Sequence, residues 1–414
     1  MEKEKAQHSL APLKEKEYRY FIIGRFFYIM ALRMVATVVA YKLYQLTGSS
    51  FSIGLVGLSE FIPVFLLALY SGYIIDKSDK RNMLVRGVFS YLGCVLLLIL
   101  VTSPYVEAHF STLSRQISFY IIIFFSGIIR AFVGPTTHAI IAQLVPRHIL
   151  HLATNISSST FLSASILGHA TAGFFIALFG VHGTFYIIGA YVLLAGFIMS
   201  HISHKPIVNT NVNAKAWDSV KQGLQYVFQN KILLGALSLD LFAVLFGGAV
   251  ALIPEFAERV LAVGPIGFGW LNAAVDIGSI TMILAITFFP LKHHQGRILM
   301  MGVGGFGLCI IVFGLSDVYW MSFVALVIAG MLDGISVVIR STILQLTTPD
   351  DMRGRVSSVN SLFVNSSNEL GQFESGITAR LFGAVPSVIF GGCMTLLVAI
   401  ITWIKAPSLR KFEY

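Results

Sequence analysis

Residues 146–180, PRHILHLATNISSSTFLSASILGHATAGFFIALFG, and residues 349–383, PDDMRGRVSSVNSLFVNSSNELGQFESGITARLFG, superpose at an offset of 203 residues (349 less 146). Pro146, Ser158, Ser163, Leu167, Gly168, Gly173 and the run Leu178, Phe179, Gly180 fall on Pro349, Ser361, Ser366, Leu370, Gly371, Gly376 and Leu381, Phe382, Gly383. Each stretch is long enough to cross a bilayer, and in its half of the chain each is preceded by four apolar runs and followed by one. A repeat of half the chain with the same orientation in each copy predicts two parallel six-helix bundles with a substrate path between them.

The composition around these stretches agrees. Of 414 residues, 56% are hydrophobic and only 12% charged, about half the usual share of charge for a soluble protein, and the mean hydropathy is +0.79. This is the composition of an integral membrane protein. It excludes a soluble enzyme and a disordered chain, and Cys94, Cys309 and Cys393, each alone in an apolar run, make no disulfide framework. Apolar runs of spanning length, about 20 residues, lie at 20–46, 51–75, 84–104, 117–143, 155–179, 181–201, 232–258, 266–290, 298–316, 319–345, 356–381 and 384–404. The expected fold is therefore all-α, with twelve transmembrane helices. The first twenty residues hold no apolar stretch of signal-peptide length, so no cleaved leader is expected.

The sizeable polar gap, 202–231, separates an N-terminal bundle (1–201) from a C-terminal bundle (232–414). Within it Trp217, Val220, Leu224, Val227 and Phe228 fall at helical spacing, which predicts a short amphipathic helix on the cytoplasmic membrane surface. Most of the 29 Lys and Arg residues lie in the tails and in alternate turns, whereas the opposite turns hold only Arg115, Arg259 and Arg380. The positive-inside rule then puts both termini in the cytoplasm. The formal charge of +9 is mostly topology, and a nucleic-acid partner is not expected.

Between the second and third spans stands Gly72-Tyr73-Ile74-Ile75-Asp76-Lys77-Ser78-Asp79-Lys80-Arg81. Here the chain resembles the major facilitator superfamily, in the branch that includes the enterobactin exporter and related drug or siderophore efflux proteins. Asp79 departs from the general pattern, which has glycine at that place. The resemblance implies gating by Gly72, Asp76, Lys77 and Arg81, with Asp76 latching onto the start of span eleven near Ser357. It continues in span four, where Arg130 precedes Gly134 by four residues, a motif associated in the superfamily with proton coupling. It is weaker in span five, where Gly168-His169-Ala170-Thr171-Ala172-Gly173 replaces the glycine-proline pair of antiporters.

Charges inside the spans are costly, at least about 2.5–3.5 kcal/mol each at a helix centre, and they are sorted by half. Arg25, Arg33, Lys42 and Arg130 face a single acid, Glu60, in the first six spans. In the last six, Asp240, Glu255, Asp276, Asp333, Glu369 and Glu374 accompany a single base, Arg340. Span eleven adds one polar face, Ser358, Ser361, Asn365, Asn368, Gln372 and Ser375, at intervals of three and four. These patterns predict a polar central cavity in which Arg33, Arg130, Asp276, Asp333, Asn365 and Asn368 bind substrate. Glu369 and Glu374, with Arg130, are expected to carry the proton. His169 reads foremost as a packed, hydrogen-bonded residue.

Gly302-Val303-Gly304-Gly305-Phe306-Gly307 matches a dinucleotide-binding pattern, yet it sits inside an apolar span with no strand before it, so close helix packing is its reading. There is no phosphate-binding loop and no metal-ligand spacing in the sequence, and no cofactor is expected. The sequence predicts a monomeric, non-enzymatic secondary transporter of the bacterial inner membrane, coupled to protons and exporting a small amphiphilic or anionic molecule. Two other readings fit the same residues: an uptake symporter or facilitator for an anionic nutrient, and a sensor or assembly factor on a transporter fold.

Overall fold

The computed structural model describes residues 10–206, 216–349 and 352–413, and every regular element among them is helical. The first four crossings are α1 (Lys16–Thr47), α2 (Ser50–Asp76), α3 (Lys80–Val101) and α4 (Thr112–Leu144). Leu150–Ser200 is one helical run broken at Gly180, giving α5 (150–179) and α6 (181–200). After a linker helix (Ala216–Gln229) come α7 (Lys231–Phe246), α8 (Pro265–Phe288), α9 (Gln295–Leu315), α10 (Tyr319–Thr347), α11 (Arg353–Phe382) and α12 (Ala384–Lys405).

Local chemistry sets several of these boundaries. Asp79 caps α3 by accepting from the Arg81 and Asn82 backbone N–H groups, Ser111 caps α4 through Ser114, and Asn230 caps α7 through Ile232 and Leu233. Nine of the described helical segments are long and apolar enough to cross a membrane. One of these, Arg147–Ser200, contains both α5 and α6. A bent pair, the end of the linker helix and α7, meeting at 103°, supplies another crossing. The twelfth is α11, 30 residues long, which its polar face keeps out of the apolar set.

Two glycines make the same joint in each half. Gly180 has φ 67° and ψ 178°, and Gly383 has φ 89° and ψ 163°. These are values that side-chain-bearing residues rarely adopt, and the two positions are partners at the 203-residue offset. The repeat is thus a backbone feature as well as a sequence one.

Span seven departs from expectation. Instead of one helix over 232–258, α7 stops at Phe246, and Gly247-Gly248 leads into a 3-10 turn (Ala249–Leu252), a single α-turn at Ile253–Glu255 and a π-helical turn (Phe256–Val260). The physical reason is the glycine pair followed by Pro254, which supports no continuous helix. Irregular backbone at this depth must be satisfied by protein, and Ser375 does so by donating to the Gly248 carbonyl at 3.1 Å.

The chain forms two compact units: Met1–Val39 with Ile62–Asn213, and Ala40–Phe61 with Ala214–Tyr414. In the first, Phe21, Met34, Val38, Val88, Phe119 and Phe185 are fully buried. In the second, one apolar cluster gathers Leu233, Leu237, Leu299, Ile339, Val356 and Val359, and another Leu252, Phe256, Phe268, Phe313 and Leu326. At the α8–α10 crossing Gly278 and Gly330 bring the backbones so close that a methyl group on either would overlap a carbonyl of the facing helix. Small residues are what allow helices to associate this way in a bilayer. The corner between α1 and α2, with Lys42 and Glu60, belongs to the second unit.

Candidate functional site

In the first unit α1, α4 and α5 carry the basic residues. Gly168 of α5 lies against the Met30 carbonyl and the Arg33 Cβ, where an added Cβ would sit 2.7 and 2.8 Å away. That contact brings Arg33 over the Phe161 ring at 5.3 Å, a cation–π arrangement. It also brings the Thr37 hydroxyl within 2.7 Å of His169 Nδ1. The same hydroxyl donates to the Arg33 carbonyl at 3.0 Å, so Nδ1 carries its proton and donates to the Thr37 oxygen. His169 therefore packs and hydrogen-bonds between α5 and α1. Arg130 acts electrostatically on Tyr28 of α1, whose hydroxyl is buried and meets no hydrogen-bond partner among the described residues. Arg25, missed as a site residue, is buried with its Nε likewise unpartnered, and its guanidinium lies 5.9 Å from the Phe21 ring centre.

In the second unit the acids divide into paired and cavity-facing. Asp240 of α7 and Arg340 of α10 form a buried ion pair. Glu255 accepts from Ser50 at 2.5 Å and from Arg259 at 3.3 Å. Asp276 and Asp333 stand on the tightly crossed α8 and α10, close enough for their charges to interact. Asp333 lines a small cavity with Asp240, Val303, Phe306 and Ser336.

The polar face of α11 changes character along its length. Ser358, Ser361, Asn365 and Asn368 are exposed, Glu369, Gln372 and Glu374 are partly buried, and Ser375 is buried. What covers the far end is the start of α2. A Cβ on Gly57 would lie 2.8 Å from the Glu369 carbonyl and 2.9 Å from the Gln372 Cβ, and one on Gly54 would lie 3.0 Å from the Gln372 carbonyl. Around this contact Arg380 lies 4.9 Å over Phe51, Tyr41 lies 5.5 Å from Phe268, and Arg259 reaches the Gly48 carbonyl at 3.4 Å. Gly54 and Gly57 were not singled out from sequence. Their three-residue spacing in an apolar run was the available signal.

The loop between α2 and α3 places its residues on different partners. A Cβ on Gly72 would meet nothing within 4 Å among the described residues. The Asp76 side chain lies outside the described residues, and Lys77 is exposed just past α2. Arg81 is tied to the end of α6: Nε donates to the Ile202 carbonyl at 2.8 Å and Nη2 to the Ser200 carbonyl. Asp79, which had marked only a departure from pattern, holds the same segment through His204 Nδ1 at 2.8 Å and the Lys205 N–H at 3.3 Å. Burial raises its pKa, but the hydrogen bonds from His204, Lys205, Asn82 and Arg81 outweigh burial and hold Asp79 below its ordinary value.

The model of the Major Facilitator Superfamily matches residues 21–372. The chain belongs to that superfamily. Among its relatives in the superfamily are the "Uncharacterized MFS-type transporter YfiS" of Bacillus subtilis, 25% identical over 95% of this chain and 92% of its own, and the "Enterobactin exporter EntS" of Shigella flexneri, 22% identical over 96% and 93%. Among solved structures, that of a D-xylose–proton symporter is similar with a TM-score of 0.75 and 14% identity, covering 97% of this chain and 100% of the other. The protein is thus a multi-pass membrane protein with the fold of this transporter superfamily.

Proposed function

We propose that this superfamily member is a secondary active transporter that exports a small amphiphilic or anionic molecule by alternating access, driven by protons. The observation that carries the reading is the α11 face, polar over its whole length, open at the Ser358–Asn368 end and covered at the Gln372–Ser375 end by Gly54 and Gly57. A polar stripe that is accessible from one end only is what an alternating-access path requires of one of its walls. Asn365, Asn368, Asp276 and Asp333 are the substrate-facing polar groups of the second unit, and Arg33 and Arg130 those of the first. Their positive charge favours an anionic substrate group. Glu369 and Glu374 sit where exposure gives way to burial, the position in which a carboxylate alternates between charged and protonated forms, with Arg130 in a supporting role.

The export direction draws support from the likeness to the enterobactin exporter, and the setting in a bacterial inner membrane from the bacterial relatives. The excess of Lys and Arg in the tails and alternate turns supports cytoplasmic termini. Residues 1–201 and 232–414 act as the two moving bundles, joined by a linker whose helix is bent against α7. Gly72, Asp76, Lys77 and Arg81 form the cytoplasmic gate, with Arg81 acting through the end of α6. A second reading, uptake of an anionic nutrient by a symporter or facilitator, uses the same basic and acidic residues in the opposite net direction.

Accumulation assays in cells with and without the protein decide between them. A panel of siderophores, dyes, sugars and organic anions would be tested with and without an uncoupler. Lower cellular content of one anionic or amphiphilic compound, abolished by the uncoupler, supports export. Higher content of a sugar or anion would overturn it in favour of uptake.

A further inference from the structure

Within the second unit the linker helix and α7 meet at 103° around Asn230. Between that corner and the short helix Pro407–Arg410, which follows α12, lies an open groove of about 450 Å³. Tyr226 and Gln229 of the linker helix, Asn230 at the corner, Lys231 and Ile232 at the start of α7, and Ser408 line it. The volume falls within that of small-molecule sites, about 300–1,000 Å³.

Both walls are fixed. The Tyr226 hydroxyl donates to the Thr347 carbonyl at the end of α10, and Gly223 lies against the Arg355 carbonyl of α11, where an added Cβ would sit 2.8 Å away. On the other wall Leu409 is fully buried in the cluster of Leu233, Leu237 and Leu299. The Phe412 carbonyl accepts from the Gly296 N–H at 3.1 Å, and the Arg410 guanidinium stacks 5.5 Å over the Trp403 ring. The groove is therefore a built concavity.

Its chemistry has two parts. Residues 221–234 and 403–413 contain five bases, Lys221, Lys231, Lys405, Arg410 and Lys411, against one acid, Glu413, which is paired with His294. Lys231, Lys405 and Lys411 are exposed. Apolar surface flanks these charges: Phe228, beside Gln229, is 62% exposed, and Ile404, four residues before Ser408, is 69% exposed. Because α7 begins and α12 ends here, the groove lies where spans leave the hydrocarbon, a level at which aromatic residues such as Tyr226 and Trp403 gather. Bases alone would suit any anion. Bases flanked by exposed apolar side chains suit an anion that carries hydrocarbon.

We propose that this groove binds the headgroup of an anionic phospholipid, with its phosphate at Lys231 and Ser408 and its acyl chains along Ile404 and Phe228. Bound there, the lipid braces the linker helix against the C-terminal segment and so stabilises the folded chain. The site depends on neither the direction nor the substrate of transport.

The test is thermal unfolding of the detergent-purified full-length chain as phosphatidylglycerol, phosphatidylcholine or inorganic phosphate is added, with bound lipid counted by native mass spectrometry. Phosphatidylglycerol should raise the midpoint saturably and remain bound, whereas phosphatidylcholine and inorganic phosphate should do neither. Lys231→Gln should weaken the response about fivefold, the worth of one basic residue at a membrane surface. Ser408→Trp, which fills the groove at an exposed position, should abolish it. Lys292→Gln, at an exposed lysine in the turn before α9, should leave it unchanged. An equal response to phosphatidylcholine, or a response unchanged in either folded groove variant, overturns the site. Loss in Lys292→Gln as large as in Lys231→Gln overturns it in favour of diffuse surface charge, and a saturable response to inorganic phosphate overturns the lipid as its occupant.

Discussion

α5 and α11 occupy equivalent places in the two halves, and they rest on different partners. Gly168 of α5 packs against α1 at Met30 and Arg33, and Gly371 of α11 packs against α7 at Val244 and Leu245. Both helices end at a glycine of positive φ. Yet α1 runs unbroken through the contact to Thr47, whereas α7 stops at Phe246, one residue beyond it. The residue that satisfies the freed Gly248 carbonyl is Ser375, whose repeat partner at the 203-residue offset is Ala172. The repeated residues therefore hold the scaffold, and the residues that differ between copies hold what only one copy does. The charges divide in the same way, with an ion pair on α7 and α10 and a guanidinium stacked on a ring between α1 and α5.

The largest expected effect tests that division of charge. Asp240→Ala leaves Arg340 buried without its partner, a loss of about 3–5 kcal/mol. Arg33→Ala gives up a cation–π contact worth about 0.5–2 kcal/mol. The melting temperature of the detergent-solubilised chain should fall far more in the first variant. Replacing both members of the pair, with Asp240→Asn and Arg340→Met, should recover much of the loss. Equal falls for Asp240→Ala and Arg33→Ala would mean that the two units treat their buried charges alike.

Next come the two glycine contacts. A methyl group at Gly168 would lie 2.7 Å from the Met30 carbonyl, and one at Gly371 would lie 2.9 Å from that of Val244. Overpacking of this kind costs about 1–3 kcal/mol. A helix interrupted just beyond the contact yields more readily than a continuous one, so Gly168→Ala should lower the melting temperature more than Gly371→Ala. The reverse order would show that the α7 break is as rigid as the helix it replaces.

The joints should behave alike. Gly180→Ala and Gly383→Ala each force a side chain into a conformation that glycine adopts freely, at a cost of about 1–2 kcal/mol. A Cβ at Gly180 would meet nothing within 4 Å, and one at Gly383 only the Pro386 Cδ at 3.8 Å, so backbone strain sets the size of both effects. Matching falls in melting temperature are expected. A large difference would show that one corner carries a packing load absent from the other.

Much of this architecture was legible in the residues. Apolar run lengths set the twelve crossings, and the matched Leu-Phe-Gly runs marked the two joints before their dihedral angles were known. The interval pattern of Ser358 to Ser375 marked the α11 face. What was not legible came from contacts between residues far apart in the chain. Nothing local distinguishes Asp240, which pairs with Arg340, from Asp333, which faces a cavity. Gly54 and Gly57 look like any glycines in an apolar run until α11 is laid against them. Asp79 looked like an irregular member of a charged turn because its partners, His204 and Lys205, are more than 120 residues away.

The smallest effect belongs to the corners before the third helix of each half. Asp79 caps α3 and reaches past the end of α6 to His204 and Lys205. At the equivalent corner before α9, His294 stands at the N-cap with φ 60°, offers no side-chain cap, and instead pairs with Glu413 beyond the end of α12 at 2.5 Å. Both corners are thus pinned to the segment after the last helix of their half, but only the first uses a carboxylate as the cap. Asp79→Ala should cost about 1 kcal/mol, the usual worth of an N-cap. Its contribution should also depend on acid in a defined sense. The folded-state pKa of Asp79 is depressed, so its stabilisation is complete above the ordinary aspartate value of about 3.9 and is lost as pH falls through the folded value. Melting temperatures of wild type and Asp79→Ala should therefore differ at neutral pH and converge in acid, whereas His294→Ala, which removes no carboxylate cap, should show no such convergence with Asp79 as its cause. If the difference between wild type and Asp79→Ala stays constant down to the lowest pH at which the chain remains folded, the carboxylate is not what pins the α2–α3 corner, and the guanidinium donations of Arg81 to the Ile202 and Ser200 carbonyls hold it alone.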